Sequence, residues 1–320
     1  MPFVVSPSAF LMALGSGLAS AVLFASLIGG TSLAVPLFAL TGLPIAIAAL
    51  GWGTLAGAIA VVIGGVAITF ALSAPAAGSY LLTVAGPVLV LSHLVGLARQ
   101  DEAGRVEWYP LGRVLAAAAI LIAAATVVGG IAIGYDQEAT TRQVRDAFAG
   151  MMDPARVPGG LEQVRAEVEP FVRLSVRLMP ILFPAIWTMI LVLNLWLGAK
   201  VVAKSDRLAR PWEDLSAISL PRGADLGFAG ALVLSFLPAP AGLVASPFLG
   251  AFLSAYTLMG FAVLHHVTRG SGARPIVLAT VYGLVFLFTF PALLVALVGF
   301  LERFLRFRDR RRKGGPPGVV

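Results

Sequence analysis

Strongly hydrogen-bonding or ionisable side chains inside long apolar runs are where this chain could do chemistry, because such groups are costly in hydrocarbon and default to functional sites. Asn194 stands in the run from about Leu174 to Val202, with Trp196 two residues on. The Asn194 amide could bind a substrate or bond across to a neighbouring helix, and the second reading carries more weight. Trp196 fits an interfacial anchor. His265 and His266 are adjacent beside Arg269, and His93 is the third histidine. Neighbouring residues point about 100° apart on a helix, so the pair makes a poor metal chelate and no metal site is expected. Glu302 is flanked by Arg303 and Arg306, which reads as an ion pair of helical spacing, with a proton relay as the sharper alternative. The chain has no cysteine, which removes thiolate catalysis, disulfides and Cys-based metal sites. It has no Ser-His-Asp order, phosphate loop, HExxH or paired-carboxylate motif. The expectation is a protein that is not an enzyme and carries no cofactor and no metal.

The elements that must position these residues follow from composition. Of 320 residues, 58% are hydrophobic and 12% charged, about half the roughly 25% charge of a soluble domain. The mean hydropathy is +0.92. Residues 1–98 contain no Lys, Arg, Asp or Glu. These values exclude a soluble enzyme, a secreted disulfide scaffold and a disordered tail. They leave an all-α, polytopic transmembrane helical bundle of about 8–10 membrane segments. The net charge is +7, and seven of the 23 basic residues lie between Arg303 and Lys313. Joined directly to an apolar stretch, they read as an anchor on anionic lipid, with no nucleic-acid partner. Met1 to Ser8 lack the positive region of a signal peptide, so the first apolar segment is expected to stay in the membrane.

Apolar windows bounded by Gly, Pro or charge predict spans at about Ala9–Ile28, Leu33–Leu50, Trp52–Leu72, Ala77–Ala98, Leu111–Gly134, Leu174–Val202, Leu226–Leu237 and Pro247–Val267. Pro36 and Pro44 predict a kink or break in the second, and Pro238-Ala239-Pro240 a short seventh. The final stretch, Pro275 to Leu301, is about 27 residues with Pro291 near its middle. A single crossing would leave the basic tail on the wrong side. Two short helices joined at Phe290-Pro291 and re-entering toward the cytoplasm are preferred over one tilted helix. Basic residues in segments 99–113 and 200–225, after the eighth span and in the tail predict that these, and both termini, are cytoplasmic. Gly53-x3-Gly57 and Gly130-x3-Gly134 offer close helix contacts.

Residues 135–173 form the one large polar insert. Counting Arg177 just beyond it, six basic residues face seven acidic ones, and apolar positions recur at helical spacing around breaks at Asp153-Pro154 and Pro158-Gly159-Gly160. An extracytoplasmic amphipathic hairpin extending the fifth and sixth spans is expected, either capping a cavity or lying on lipid. The chain thus divides into N-terminal transmembrane helices (1–134), the hairpin (135–173), C-terminal transmembrane helices (174–308) and a basic tail (309–320).

Four short motifs carry a family resemblance over roughly residues 170–312: Arg177 with Pro180, Asn194 with Trp196 and Leu197, Gly260 with His265, and Gly299 with Glu302. They resemble the YybS-like family of bacterial inner-membrane proteins, also known as domain of unknown function 2232. That family usually has Asp where this chain has Glu302, and the N-terminal half agrees with it in hydropathy alone. The resemblance implies a distant likeness to the substrate-capture components of energy-coupling-factor transporters, which bind a small molecule in a helical bundle and dock on a membrane partner subunit. On that footing Asn194, Trp196, Arg177, Gly260 and His265 are candidate substrate-binding residues.

The leading expectation is a transport-related small-molecule-binding subunit of the bacterial inner membrane. Its partners would be the lipid bilayer, an unknown small molecule and a membrane partner subunit. The alternative is a non-catalytic scaffold in envelope biogenesis. A deep pocket lined by Trp, Asn and Tyr, between the N-terminal spans and the sixth and eighth, would mark the first. A solid core with outward grooves would mark the second.

Overall fold

A computed structural model describes residues 6–151, 160–288 and 290–313. The N-terminal helices are α1 (Pro7–Ala25), α2 (Ala34–Ala39), α3 (Leu43–Trp52), α4 (Thr54–Ala71), α5 (Ala74–Tyr80) and α6 (Gly86–Gly96). A two-stranded hairpin, β1 (Ala98–Gln100) and β2 (Val106–Trp108), then leads into α7 (Leu111–Ala132) and α8 (Gln137–Gly150). The rest comprises α9 (Gly160–Lys204), α10 (Arg222–Ser235), α11 (Ala241–Val267), α12 (Arg274–Leu287), α13 (Phe290–Leu305) and α14 (Phe307–Lys313). The protein is an all-α membrane bundle. Among the described residues seven helical segments are long and apolar enough to cross a bilayer, and α10, α12 and α13 are shorter, at 14, 14 and 16 residues.

Proline and polar side chains explain where the spans break. The second span divides into α2 and α3, with Pro36 early in the first and Pro44 in the opening turn of the second, the position proline tolerates best. Breaks inside hydrocarbon free backbone carbonyls, which need partners because no water is present. Pro87 has no N–H to give the Thr83 carbonyl four residues back, and one π-helical turn, Leu81–Ala85, joins α5 to α6. Trp187 Nε1 donates to that Thr83 carbonyl at 2.7 Å. Pro180 likewise frees the Val176 carbonyl, which accepts from the Tyr135 hydroxyl at 3.4 Å. α9 runs unbroken through Pro170, Pro180 and Pro184 for 45 residues, about 68 Å at 1.5 Å per residue. That is twice the roughly 30 Å hydrocarbon core.

The excess length of α9 carries the polar insert. Its N-terminal part packs against α8, with Ala149 and Val172 buried between them and Arg145 paired to Glu169 at 3.2 Å. The expected hairpin is thus α8 against the start of α9. The breaks expected at Asp153-Pro154 and Pro158-Gly159 lie outside the described residues, and Gly160 is already helical.

The opposite end of the bundle gathers the basic loops. Ala9 and Ala56 share one apolar cluster, and Gly17 meets Ala60 and Ile63, so α1 runs parallel to α4 and both start at this end. Here Arg207 lies 4.7 Å from the Trp52 ring centre, and Arg210 donates to the Val95 and Tyr109 carbonyls at 3.4 and 2.7 Å. Arg269 pairs with Asp214 at 2.5 Å, and Arg308 donates to the Ser216 and Ile218 carbonyls at 3.0 and 3.1 Å. The last link brings the chain after α13 back to the end where α11 finishes. The stretch from Pro275 is accordingly two helices, with Phe288 extended between them and Pro291 in the first turn of α13.

Some details differ from the sequence reading. α11 begins at Ala241, with Pro247 buried inside it instead of opening it. Gly53 and Gly134 have φ of +93° and +62° and serve as turn residues, because the left-handed region is open to glycine at little cost. Of the two expected Gly-x3-Gly pairs, only Gly57 makes a close helix contact, against Ala49 of α3, and neither pair forms a two-residue stripe. Glycine-to-backbone crossings are made by Gly17 against the Ala60 carbonyl, Gly250 against the Ile181 carbonyl, and Gly260 and Gly299 where α11 meets α13, among others.

Candidate functional site

Asn194 is buried on the face of α9 that meets the broken second span. Because the chain turns between α2 and α3, the Ala39 carbonyl has no helical donor, and Leu43 N–H goes to the Leu40 carbonyl instead. Asn194 Nδ2 fills the gap, donating to Ala39 O at 2.7 Å and to Ile190 O at 2.8 Å. Its Oδ1 is buried without a partner among the described residues, as is the Thr188 hydroxyl. Phe38, Thr41, Gly42, Val84, Val88 and Trp187 are among the residues that enclose a cavity of about 10 Å³ beside it. That is room for one water, against the roughly 300–1,000 Å³ of ligand sites.

The other candidates lie apart from it. Trp196 is turned outward at 38% exposure, with Lys200 Nζ 5.5 Å from its ring centre, an anchor's arrangement. Arg177 is exposed, 17 residues and about 25 Å along α9 from Asn194. Gly260 abuts the Val295 carbonyl of α13. His265 Nε2 lies 3.0 Å from the Tyr282 hydroxyl, and His93 Nδ1 3.0 Å from Thr54 Oγ1, so the histidines serve different helix pairs. The five substrate-binding candidates do not converge on one site.

What does converge is a set of ion pairs at the basic end. Asp225, in the first turn of α10, accepts from the Tyr256 hydroxyl of α11 at 2.5 Å and pairs through its other oxygen with Arg303 of α13. Both carboxylate oxygens are occupied, so the cluster ties three helices together. Glu302 takes Arg308 at 2.8 Å as its partner, in place of the expected Arg303 or Arg306. The Asp214 carboxyl is held below the usual carboxylate range, chiefly by its hydrogen bond from Arg269. Arg210 is buried and bonded to Glu213. Sequence reasoning missed Asp225, Arg210 and Arg308, whose partners lie up to 115 residues away.

A far larger opening than the Asn194 cavity lies on the outside of the bundle. A groove of about 800 Å³ runs along α10 and α11 beside Ile120 of α7, lined by Gly223, Leu226, Gly230, Leu234, Val244 and Phe248 among others. It lies between the fifth, seventh and eighth spans, whereas a cavity or groove was expected between the N-terminal spans and the sixth and eighth; the small Asn194 cavity has N-terminal and sixth-span walls but none from the eighth.

Asn194→Leu tests the glue role. The exchange keeps size but strands the Ala39 carbonyl, and membrane hydrogen bonds average about 0.6 and reach about 1.7 kcal/mol. A loss of about 1 kcal/mol in detergent–SDS unfolding is expected, without any small molecule present. An unchanged midpoint would mean that the amide does not hold α2 to α9.

The family described as "Predicted membrane protein (DUF2232)" matches residues 17–302. No curated protein and no solved structure matches the chain. The family match reaches well into the N-terminal half, where the motifs above had offered hydropathy alone.

Proposed function

The chain belongs to the DUF2232 family of predicted membrane proteins, and from this premise we propose that it is a non-catalytic scaffold of the bacterial inner membrane that works through its lateral face. One contrast carries this reading: the cavity at Asn194 holds about 10 Å³, whereas the outward groove offers about 800 Å³. Solute capture needs a chamber around convergent polar groups, and Asn194 Oδ1, without a partner among the described residues, has beside it room for one water only. Catalysis needs titratable groups facing an open site, and Asp225 has both oxygens taken. Native mass spectrometry of the protein in lipid, with polar metabolites and vitamins added, should find no retained polar solute. One solute bound per chain would return the protein to the transport-related class.

The basic end is read as cytoplasmic by the Lys/Arg rule, with α8 and the start of α9 outside. The absence of native cysteine makes labelling direct. In intact cells an impermeant thiol reagent should reach a cysteine placed at exposed Ala147 of α8, but not one at Ala103 or Asp309. Labelling at Ala103 would invert the orientation. Labelling at Asp309 but not Ala103 would refute the return of the tail.

A further inference from the structure

We propose that the groove between α7, α10 and α11 is a binding site for one anionic phospholipid of the leaflet at the basic end. In a bilayer an apolar groove is filled by whatever apolar chain is beside it, because empty space forfeits dispersion contacts on both walls. Its walls are Gly, Ala, Leu, Val, Ile, Pro and Phe, and no charged side chain lines it. From Gly223 to Leu234 it follows α10 for eleven residues, about 16 Å. Its lining continues on α11 to Ala241, so it covers at least half of the roughly 30 Å core, room for the full acyl chain of a lipid of the leaflet at the basic end.

The charge at its mouth names the headgroup. Arg222 precedes Gly223, the groove residue nearest the basic end, and is exposed. Arg113 is also exposed and lies seven residues, two helical turns, before Ile120 on the same face of α7. The start of α7 touches the segment that leads into α10, since Gly112 abuts the Ser219 carbonyl three residues before Arg222. Neither arginine has an ion-pair partner among the described residues, and Arg113 has a ring contact to Tyr109 at 5.9 Å. A phosphate at this level would meet two guanidinium groups while its acyl chain occupied the groove.

This inference rests on the lateral-face reading. Native mass spectrometry from nanodiscs with equal phosphatidylglycerol and phosphatidylcholine is the test. At about 1 kcal/mol per basic residue, two arginines give an expected preference of about 30-fold for the anionic lipid. The double variant Arg113→Gln/Arg222→Gln should keep a bound lipid but lose the preference. Gly230→Trp should lose both lipids, since a Cβ at Gly230 meets open space and the ring would fill the groove without disturbing the fold, as an unchanged unfolding midpoint would confirm. No retained lipid on the native chain, equal retention of the two lipids, or undiminished retention by Gly230→Trp would overturn the proposal. So would a second polypeptide helix bound there in place of lipid. A polar solute bound near Asn194 would sink the scaffold reading while leaving these lipid counts unchanged.

Discussion

Glu302→Gln is expected to lower stability by about 3–5 kcal/mol, the range seen when one partner of a buried ion pair is removed. Glu302 and Arg308 side chains are only 8% and 13% exposed. Arg308 also reaches the Ser216 and Ile218 carbonyls, so its guanidinium cannot swing to water without surrendering the loop. A neutral amide at residue 302 leaves that cation buried with carbonyl partners alone. The loss should appear in SDS-unfolding of the purified protein, together with faster tryptic cutting after Arg306. Removing both charges, Glu302→Gln with Arg308→Gln, should cost less than Glu302→Gln alone, because no orphan charge remains. If the single variant loses under about 1 kcal/mol, the pair is solvated and does not clasp the tail.

The identity of that partner shows what the sequence leaves hidden. Regular helical spacing pointed from Glu302 to Arg303 or Arg306. Arg306 instead takes a φ of +48°, a left-handed break between α13 and α14 that turns the next residues back, so that Arg308 reaches Glu302. Arg303 is thereby free for Asp225, 78 residues earlier. Neither pairing has a periodic signature, because each depends on how separate helices cross. What was legible was governed by the bilayer: apolar length set the spans, Pro36, Pro44 and Pro291 marked real helix starts, and charge asymmetry sorted the loops to one end. Asn194 was correctly read as a strong hydrogen bonder at depth. Its partner was not visible, because Ala39 becomes an acceptor only once the chain breaks between α2 and α3. The groove was missed for a similar reason. Lipid-facing and core-facing apolar residues look alike in sequence, since the membrane removes the polar stripe that marks an outer face in water.

Gly260→Leu is expected to destabilise by about 3 kcal/mol, the upper part of the usual overpacking range. A Cβ at Gly260 would stand 1.9 Å from the Val295 carbonyl oxygen, and one at Gly299 would stand 2.1 Å from the Tyr256 carbonyl oxygen. In both cases the obstacle is backbone, so the helices themselves must part. The two glycines belong to separate sequence motifs, Gly260 with His265 and Gly299 with Glu302, and the fold brings them to one crossing. Parting α11 from α13 there also pulls Arg303 from Asp225 and Phe300 from Tyr256, whose rings are 5.4 Å apart. Gly299→Leu should therefore cost a similar amount, and the double variant less than the sum, because the first substitution already opens the contact. Gly283→Leu on α12 is the control. It has nothing within 4 Å of its Cβ site, and leaving glycine in a helix gains up to about 1 kcal/mol, so it should be neutral or stabilising. These differences must appear in protein stripped of small molecules if Gly260 serves packing. Equal midpoints for Gly260→Leu and Gly283→Leu would restore Gly260 as a ligand contact and leave the crossing without its cause.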